Sequence, residues 1–311
     1  MARRPPSRHL ESSALTAVLP AIALVPVCAL ALALVWLVVR LWWDVPYWLF
    51  VLAYLGSGVL LFVRPIQRLV LTRLLGARRP TREELAVLEP VWRSVTQAVH
   101  VPPRRFVLAV LDADELNAFA SGGHLVVVTS YAIEVLPDDE LAGVLAHELS
   151  HHLGLHTIAL TVAQWLSLPI VLLARIGFSL QNIARAATDT FARGSSSFTI
   201  VGRLISGILN AAAWVFLVAI LVGNAIGNVV GRGAEFQADR RVAQMGFGPH
   251  LSAALRRFVA SGLAERPARW QDRLFASHPP ARTRVARIDA LTRTRARTRF
   301  STGTNFDHYR R

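Results

Sequence analysis

Two histidines four residues apart bracket a glutamate in His147-Glu148-Leu149-Ser150-His151. Four residues advance a helix by about 400°, so both imidazoles share one face and can hold one divalent ion while Glu148 reaches the water on it. A hydrolytic zinc site needs a third protein ligand and an open fourth position. Glu235 and Asp239 repeat the four-residue spacing in Gly233-Ala234-Glu235-Phe236-Gln237-Ala238-Asp239-Arg240, again on one helical face. Glu235 is the expected third ligand, and Asp239 is expected to hold a zinc-bound imidazole through its other ring nitrogen. The chemistry this set supports is attack by an activated water, with Glu148 as the base and one Zn2+ as the Lewis acid.

A rival ligand assignment follows from Gly154 and His156, which approach the extended pattern in which a third histidine lies three residues past the glycine, with Met245 for the methionine turn. The register is off by one, since position 157 is Thr. His156 and His152 are read instead as polar surface near a membrane boundary. The single cysteine, Cys28, lies in an apolar run, so neither a disulfide nor a thiolate metal site is available.

The elements that must position these groups are legible on either side. Thr81 and Glu84 form a capping box for a helix through about Val99, with Leu85, Leu88, Val91, Trp92 and Val95 at helical spacing. Pro102-Pro103 ends it. Arg105 to Val110 and Leu125 to Thr129 read as strands, with Asn117 to Ser121 a short extended piece before the Gly122-Gly123 turn. Pro137-Asp138-Asp139-Glu140 opens the helix that carries the histidines, with acids in the turn where the helix dipole favours them. The expected unit is α+β and mostly helical, with a small antiparallel sheet and one exposed edge.

The remainder is lipid-seeking. Hydrophobic residues make up 53% of the 311-residue chain, and the excess sits in blocks. Leu15 to Val39 and Tyr47 to Val63 form an expected transmembrane hairpin with Trp42, Trp43, Tyr47 and Trp48 at the interface. Thr157 to Ala174 (interrupted by Gln164 and Pro169) and Ile205 to Val230 (with Asn210, Asn224 and Asn228) are two further spans or a buried or membrane-surface helical hairpin. Gly223, Gly227 and Gly231 would permit close helix packing. The chain has no lysine; all 34 basic residues are arginine and the net charge is +14. Arginines flank the first hairpin on both outer sides, which places those flanks in the cytoplasm; Arg175, Arg185, Arg193 and Arg203 between the later blocks run against that rule. No aromatic-interleaved basic stripe or helix-turn-helix pattern points to nucleic acid, and arginines beside anionic headgroups account for the charge.

With these residues in place, the chain resembles the membrane-embedded zinc metallopeptidases of the HtpX and CAAX-prenyl-protease type. The resemblance covers roughly Thr81 to Leu291 and rests on Asn117-Ala118-Phe119-Ala120, on Asp139 to His151, on Glu235 to Asp239, and on Ser277-His278-Pro279-Pro280 followed by Arg284. It implies a zincin-like (gluzincin) domain fused to transmembrane helices and split by a helical hairpin at the cytoplasmic membrane face; the Arg-only, Ala-rich composition suggests a high-GC bacterial genome, which makes the plasma membrane the expected location. It implies His147, His151 and Glu235 as zinc ligands, Glu148 as base, and Asn117, Ala118, Phe119 and Ala120 as an edge that pairs with an extended polypeptide substrate. His278 is implied as a contact to the attacking water or the developing oxyanion. The expected plan is a cytoplasmic tail (1–13), the first hairpin (14–63), the first catalytic half (64–156), the second hairpin (157–230), the second catalytic half (231–292) and a basic tail (293–311). The expected function is membrane-bound endopeptidase activity in membrane protein quality control. A catalytically silent zinc-binding scaffold and a sensor-transducer are the alternatives.

Overall fold

The longest apolar runs become the longest helices. The computed structural model describes residues 18–67, 69, 72–154, 156–191, 196–261 and 280–304. The His278 segment, the outermost residues at both ends and the side chain of His156 lie outside the described residues. The described residues divide into two units by internal contacts: Leu60–Ile158 with those from Asn228 onward, and Val18–Val59 with Ala159–Gly227.

The second of these units is all-helical. It contains α1 (Leu19–Val39) and α2 (Tyr47–Val59), and the greater parts of α6 (His156–Phe191) and α7 (Ser196–Met245). Helices over Leu19–Val39, Thr157–Thr188 and Ile200–Met245 are long and apolar enough to cross a membrane, and Tyr47–Phe62 is a shorter apolar helix. Pro169 lies inside α6 without ending it. The two later apolar blocks are thus segments of longer helices, and α7, 50 residues long, passes through Val230 and Gly231 without a break. Leu24, Cys28 and Leu32 of α1 cluster with Leu166 and Ile170 of α6 and Phe216 of α7. Of the three spaced glycines only Gly223 is tightly packed, against the Leu24 side chain; a methyl at Gly227 would just touch Pro20 and one at Gly231 would meet nothing within 4 Å. Leu37, Leu52, Leu168, Leu172 and Val215 stay exposed, the outward face expected of helices solvated by lipid. This is a membrane protein with several apolar helices.

The other unit holds a four-stranded sheet of β1 (Ala77–Arg78), β2 (Val107–Leu111), β3 (Ala118–Ser121) and β4 (Leu125–Thr129), in the order β1-β2-β4-β3. The sheet is mixed, not antiparallel: β2 and β4 are parallel, while β1–β2 and β3–β4 are antiparallel. The reason lies in the turn at Gly122 and Gly123, whose φ values of 61° and 82° glycine adopts without strain. It folds β4 back between β2 and β3, so strands adjacent in sequence are not all adjacent in space. Strand β4 is buried along its whole length. Its Val126 and Val128 face a core with Leu88, Trp92 and Val95 of α3 (Arg82–Ala98), Leu141, Leu145 and Leu149 of α5 (Asp138–Leu153), and Leu251 of α8 (Gly248–Ala260). The short α4 (Ser130–Val135) links β4 to α5, and α9 (Ala281–Thr304) adds Ile288 to the same core.

Candidate active site

Helix α5 is held at both ends. Near its start, Arg257 of α8 donates two hydrogen bonds to Glu140, at 2.8 and 2.9 Å, and His250 Nδ1 lies 3.1 Å from Asp139 Oδ2. Along the shared face, Gly143 lets the backbone of α8 approach so closely that an added Cβ would lie 2.7 Å from the carbonyl carbon of His250. At the far end Arg241 of α7 donates to the Ser150 carbonyl at 2.7 Å, which also accepts the Gly154 amide at 3.1 Å. Leu141, Leu145 and Leu149 anchor the core side. The helix can neither slide nor rotate without breaking one of these contacts.

On the remaining face His147, Glu148 and His151 are buried. His147, His151 and Glu235 can each offer a ligand atom within 4.8 Å of the others. Four donor atoms cluster here, the two imidazole Nε2 atoms and the two carboxylate oxygens of Glu235. His147 Nε2 and His151 Nε2 are 3.2 Å apart, His147 Nε2 and Glu235 Oε2 are 3.3 Å apart, and His151 Nε2 and Glu235 Oε1 are 3.1 Å apart. Ligands at 2.0–2.1 Å around a tetrahedral zinc would be spaced by about 3.3–3.4 Å, so the set fits that ion with little movement. With both imidazoles neutral, as metal ligands must be, buried Glu148, Glu235 and Asp239 face one buried guanidinium among the described residues, that of Arg284, and a dication would neutralise the excess.

Glu235 and Asp239 come from one face of α7, flanked by buried Ala234, Ala238 and Val242. Asp239 Oδ1 is 3.1 Å from His147 Nδ1, leaving His147 Nε2 directed to the donor cluster. Arg284 of α9 clamps Asp239 through both oxygens, Nη2 to Oδ1 at 2.7 Å and Nε to Oδ2 at 3.0 Å. Its Nη1 also lies 3.6 Å from Glu235 Oε2, and the Glu148 charge acts on the same guanidinium. Burial and the Arg284 charge push the His147 imidazole toward its neutral form, but Glu235 and the hydrogen bond to Asp239 outweigh them and hold its pKa up at about 9. Burial would raise the Asp239 carboxyl, yet His147 and Arg284 hold it below the usual carboxylate range.

Asn117 to Ala120 lie at an edge of the sheet. Asn117 exchanges bonds with Thr129: the Thr129 amide donates to Asn117 O at 3.0 Å, and the Asn117 amide donates to Thr129 Oγ1 at 3.1 Å. Alternation along an antiparallel pair then turns the Asn117, Phe119 and Ser121 peptide groups toward β4 and those of Ala118 and Ala120 outward. Among the described residues no strand pairs with that outer side.

Two residues depart from the sequence reading. His152 is not polar surface: it is buried, its Nε2 bonds the Leu125 carbonyl at 3.0 Å, and burial lowers its pKa to about 3. It therefore ties α5 to β4 as a neutral ring donating from Nε2. Arg284 carried no assigned role in the sequence. Its signal was available, since it stands four residues before core Ile288 and is thus a charge on a buried stripe.

The pattern of peptidase family M48 matches residues 83–292. The chain belongs to peptidase family M48. Among similar proteins, a "Protease HtpX homolog" of Acidiphilium cryptum is 33% identical over 220 residues, covering 63% of this chain and 70% of the relative. One of Salinibacter ruber is 26% identical over 245 residues, covering 71% and 80%. A crystal structure of S. mikatae Ste24p is similar in fold, with a TM-score of 0.51 at 16% identity; the match covers 83% of this chain and 61% of that one. The M48 match takes in His147, Glu148, His151, Glu235, Asp239 and Arg284, and also the β3 edge.

Proposed function

We propose that this M48 protein is a zinc-dependent endopeptidase, with His147, His151 and Glu235 as ligands to one Zn2+ and Glu148 as the general base. The observation that carries the reading is the donor cluster, whose separations of 3.1–3.3 Å suit a tetrahedral ion and whose three side chains come from two helices far apart in sequence. A zinc ion held there would lower the pKa of a water and polarise the scissile carbonyl. Glu148 accepts the proton of the attacking water and delivers it to the leaving amine. Asp239 fixes the His147 tautomer, and Arg284 holds Asp239 ionised and in place. The outward peptide groups of Ala118 and Ala120 bind the substrate as an added strand, with Asn117 and Phe119 keeping that strand in register on β4. His278, six residues ahead of Arg284, is assigned to the substrate oxyanion.

Recognition through backbone groups selects extended chains over particular sequences. That supports a role in membrane protein quality control, where unfolded segments are the substrates. The arginines on both flanks of the first hairpin support a cytoplasmic catalytic domain in the plasma membrane. The test is zinc content and casein cleavage by the full chain in detergent, with and without chelator. Glu148→Gln is expected to keep its zinc and lose at least about 10²-fold in rate, while His147→Ala and Glu235→Ala lose the metal too. His278→Ala is expected to keep zinc and lower kcat. Undiminished turnover by Glu148→Gln would refute the base assignment; zinc-loaded wild type without any cleavage would favour the silent scaffold.

A further inference from the structure

The outer side of β3 does not stay open along its length. Just past Ser121 the chain turns at Gly122, and the carbonyl of Gly122 accepts a hydrogen bond from Gln67 Nε2. The same nitrogen donates to the Leu61 carbonyl at 2.8 Å. Gln67 is completely buried, and its backbone amide is bonded to Val63 O at 3.0 Å. An amide so enclosed is not a surface group that a ligand can push aside. Gly122 lies in the turn just past the last β3–β4 pair, Ser121 with Leu125, so Gln67 covers the end of the outer edge there.

We propose that Gln67 is a specificity-determining residue that closes the β3 edge at Gly122, so that a substrate strand pairs with Ala118 and Ala120 and no further. The proposal rests on the reading of β3 as the substrate edge. Two pairing residues hold only a short piece of chain. With the stop at one end, that piece is fixed in register along the sheet, and a strand register shifted by one residue would reverse which side chains face the domain. Gln67 follows directly on the segment Leu61–Ile66, so the stop is built by chain from outside the sheet. Its second bond, to Leu61, keeps the amide aimed when the edge is empty.

The test uses zinc-loaded Glu148→Gln protein, which binds without cutting, and a ladder of fluorescent unstructured peptides that lengthen by one residue at a time. With Gln67 present, affinity is expected to rise with length and then level off. Gln67→Ala removes both the donor and the side chain that covers the Gly122 carbonyl. In that variant the plateau is expected two residues later, with Kd for the longest peptides about fivefold lower and zinc content unchanged. Gln67→Ser serves as a second variant should the first fail to fold. An unchanged plateau in a folded, zinc-loaded Gln67 variant overturns the proposal. Ala120→Pro, which deletes one outward N–H, separates this from the underlying reading. If Ala120→Pro abolishes the length dependence while the Gln67 variants leave it unmoved, only the stop is wrong. If neither alters it, β3 is not the substrate edge.

Discussion

Asp239→Asn isolates the group that orients a proposed ligand without being one. The wild-type carboxylate serves three nitrogens of two side chains at once: Oδ1 faces His147 Nδ1 at 3.1 Å and Arg284 Nη2 at 2.7 Å, while Oδ2 accepts from Arg284 Nε at 3.0 Å. Asparagine has the same shape but one acceptor. If its oxygen stays with His147, its NH2 confronts the guanidinium; if it flips, the imidazole loses its partner and with it the preference for a free Nε2. Either outcome removes one charge-assisted bond at a site where all three residues are buried. Loss of such a supporting carboxylate weakens zinc binding by about 10- to 100-fold, or roughly 1.4–2.7 kcal/mol. The strained Arg284 pair also destabilises the metal-free protein by about 1–3 kcal/mol. Competition against a chromophoric chelator in detergent measures the first, and thermal unfolding after metal removal the second. A zinc Kd within twofold of wild type would show that the Asp239–His147 contact does not set the imidazole, and the assignment of Asp239 would fall.

Gly143→Ala places a methyl against the α8 backbone, 2.7 Å from the His250 carbonyl carbon, so α5 must shift one turn before His147. The expected outcome is a loss of about 1–3 kcal/mol together with weaker zinc binding; Gly207→Ala, where nothing lies within 4 Å, is the control that changes neither. Glu84 closes the capping box of α3 and accepts from Arg78 at 2.7 Å, and chiefly that hydrogen bond draws its pKa from the ordinary 4.5 down to about 2. Because the folded value is the lower one, its stabilisation is complete above about pH 4.5 and fades as pH falls toward 2. Glu84→Gln is therefore expected to cost about 1 kcal/mol at pH 7, with the gap to wild type closing on acidification in a series of unfolding curves.

Features set by neighbours in sequence were legible. Thr81 and Glu84 cap α3 as their spacing predicts, Leu125–Thr129 is a strand, and the four-residue spacings at His147 and at Glu235 place side chains that meet in space. What escaped depends on long-range geometry. The parallel β2–β4 pair is a matter of strand order, on which a period-two pattern is silent. Arg257, Arg241 and Gln67 act on carbonyls or carboxylates more than 50 residues away. His152 looked like surface because it neighbours two other histidines, yet the helix turns it toward β4, where a carbonyl waits for its proton. A two-residue strand such as β1 has too few positions to show any period.

That same short strand makes the two flanks of the sheet unequal. Ala77–Arg78 pairs with β2 through Leu111 and Val110, and Arg78 is bolted down by Asp112 and Glu84. Exposed strand edges recruit other chains indiscriminately. A two-residue fragment pinned by its arginine offers little to extend, so among the described residues the four-residue β3 is the longer unpaired flank.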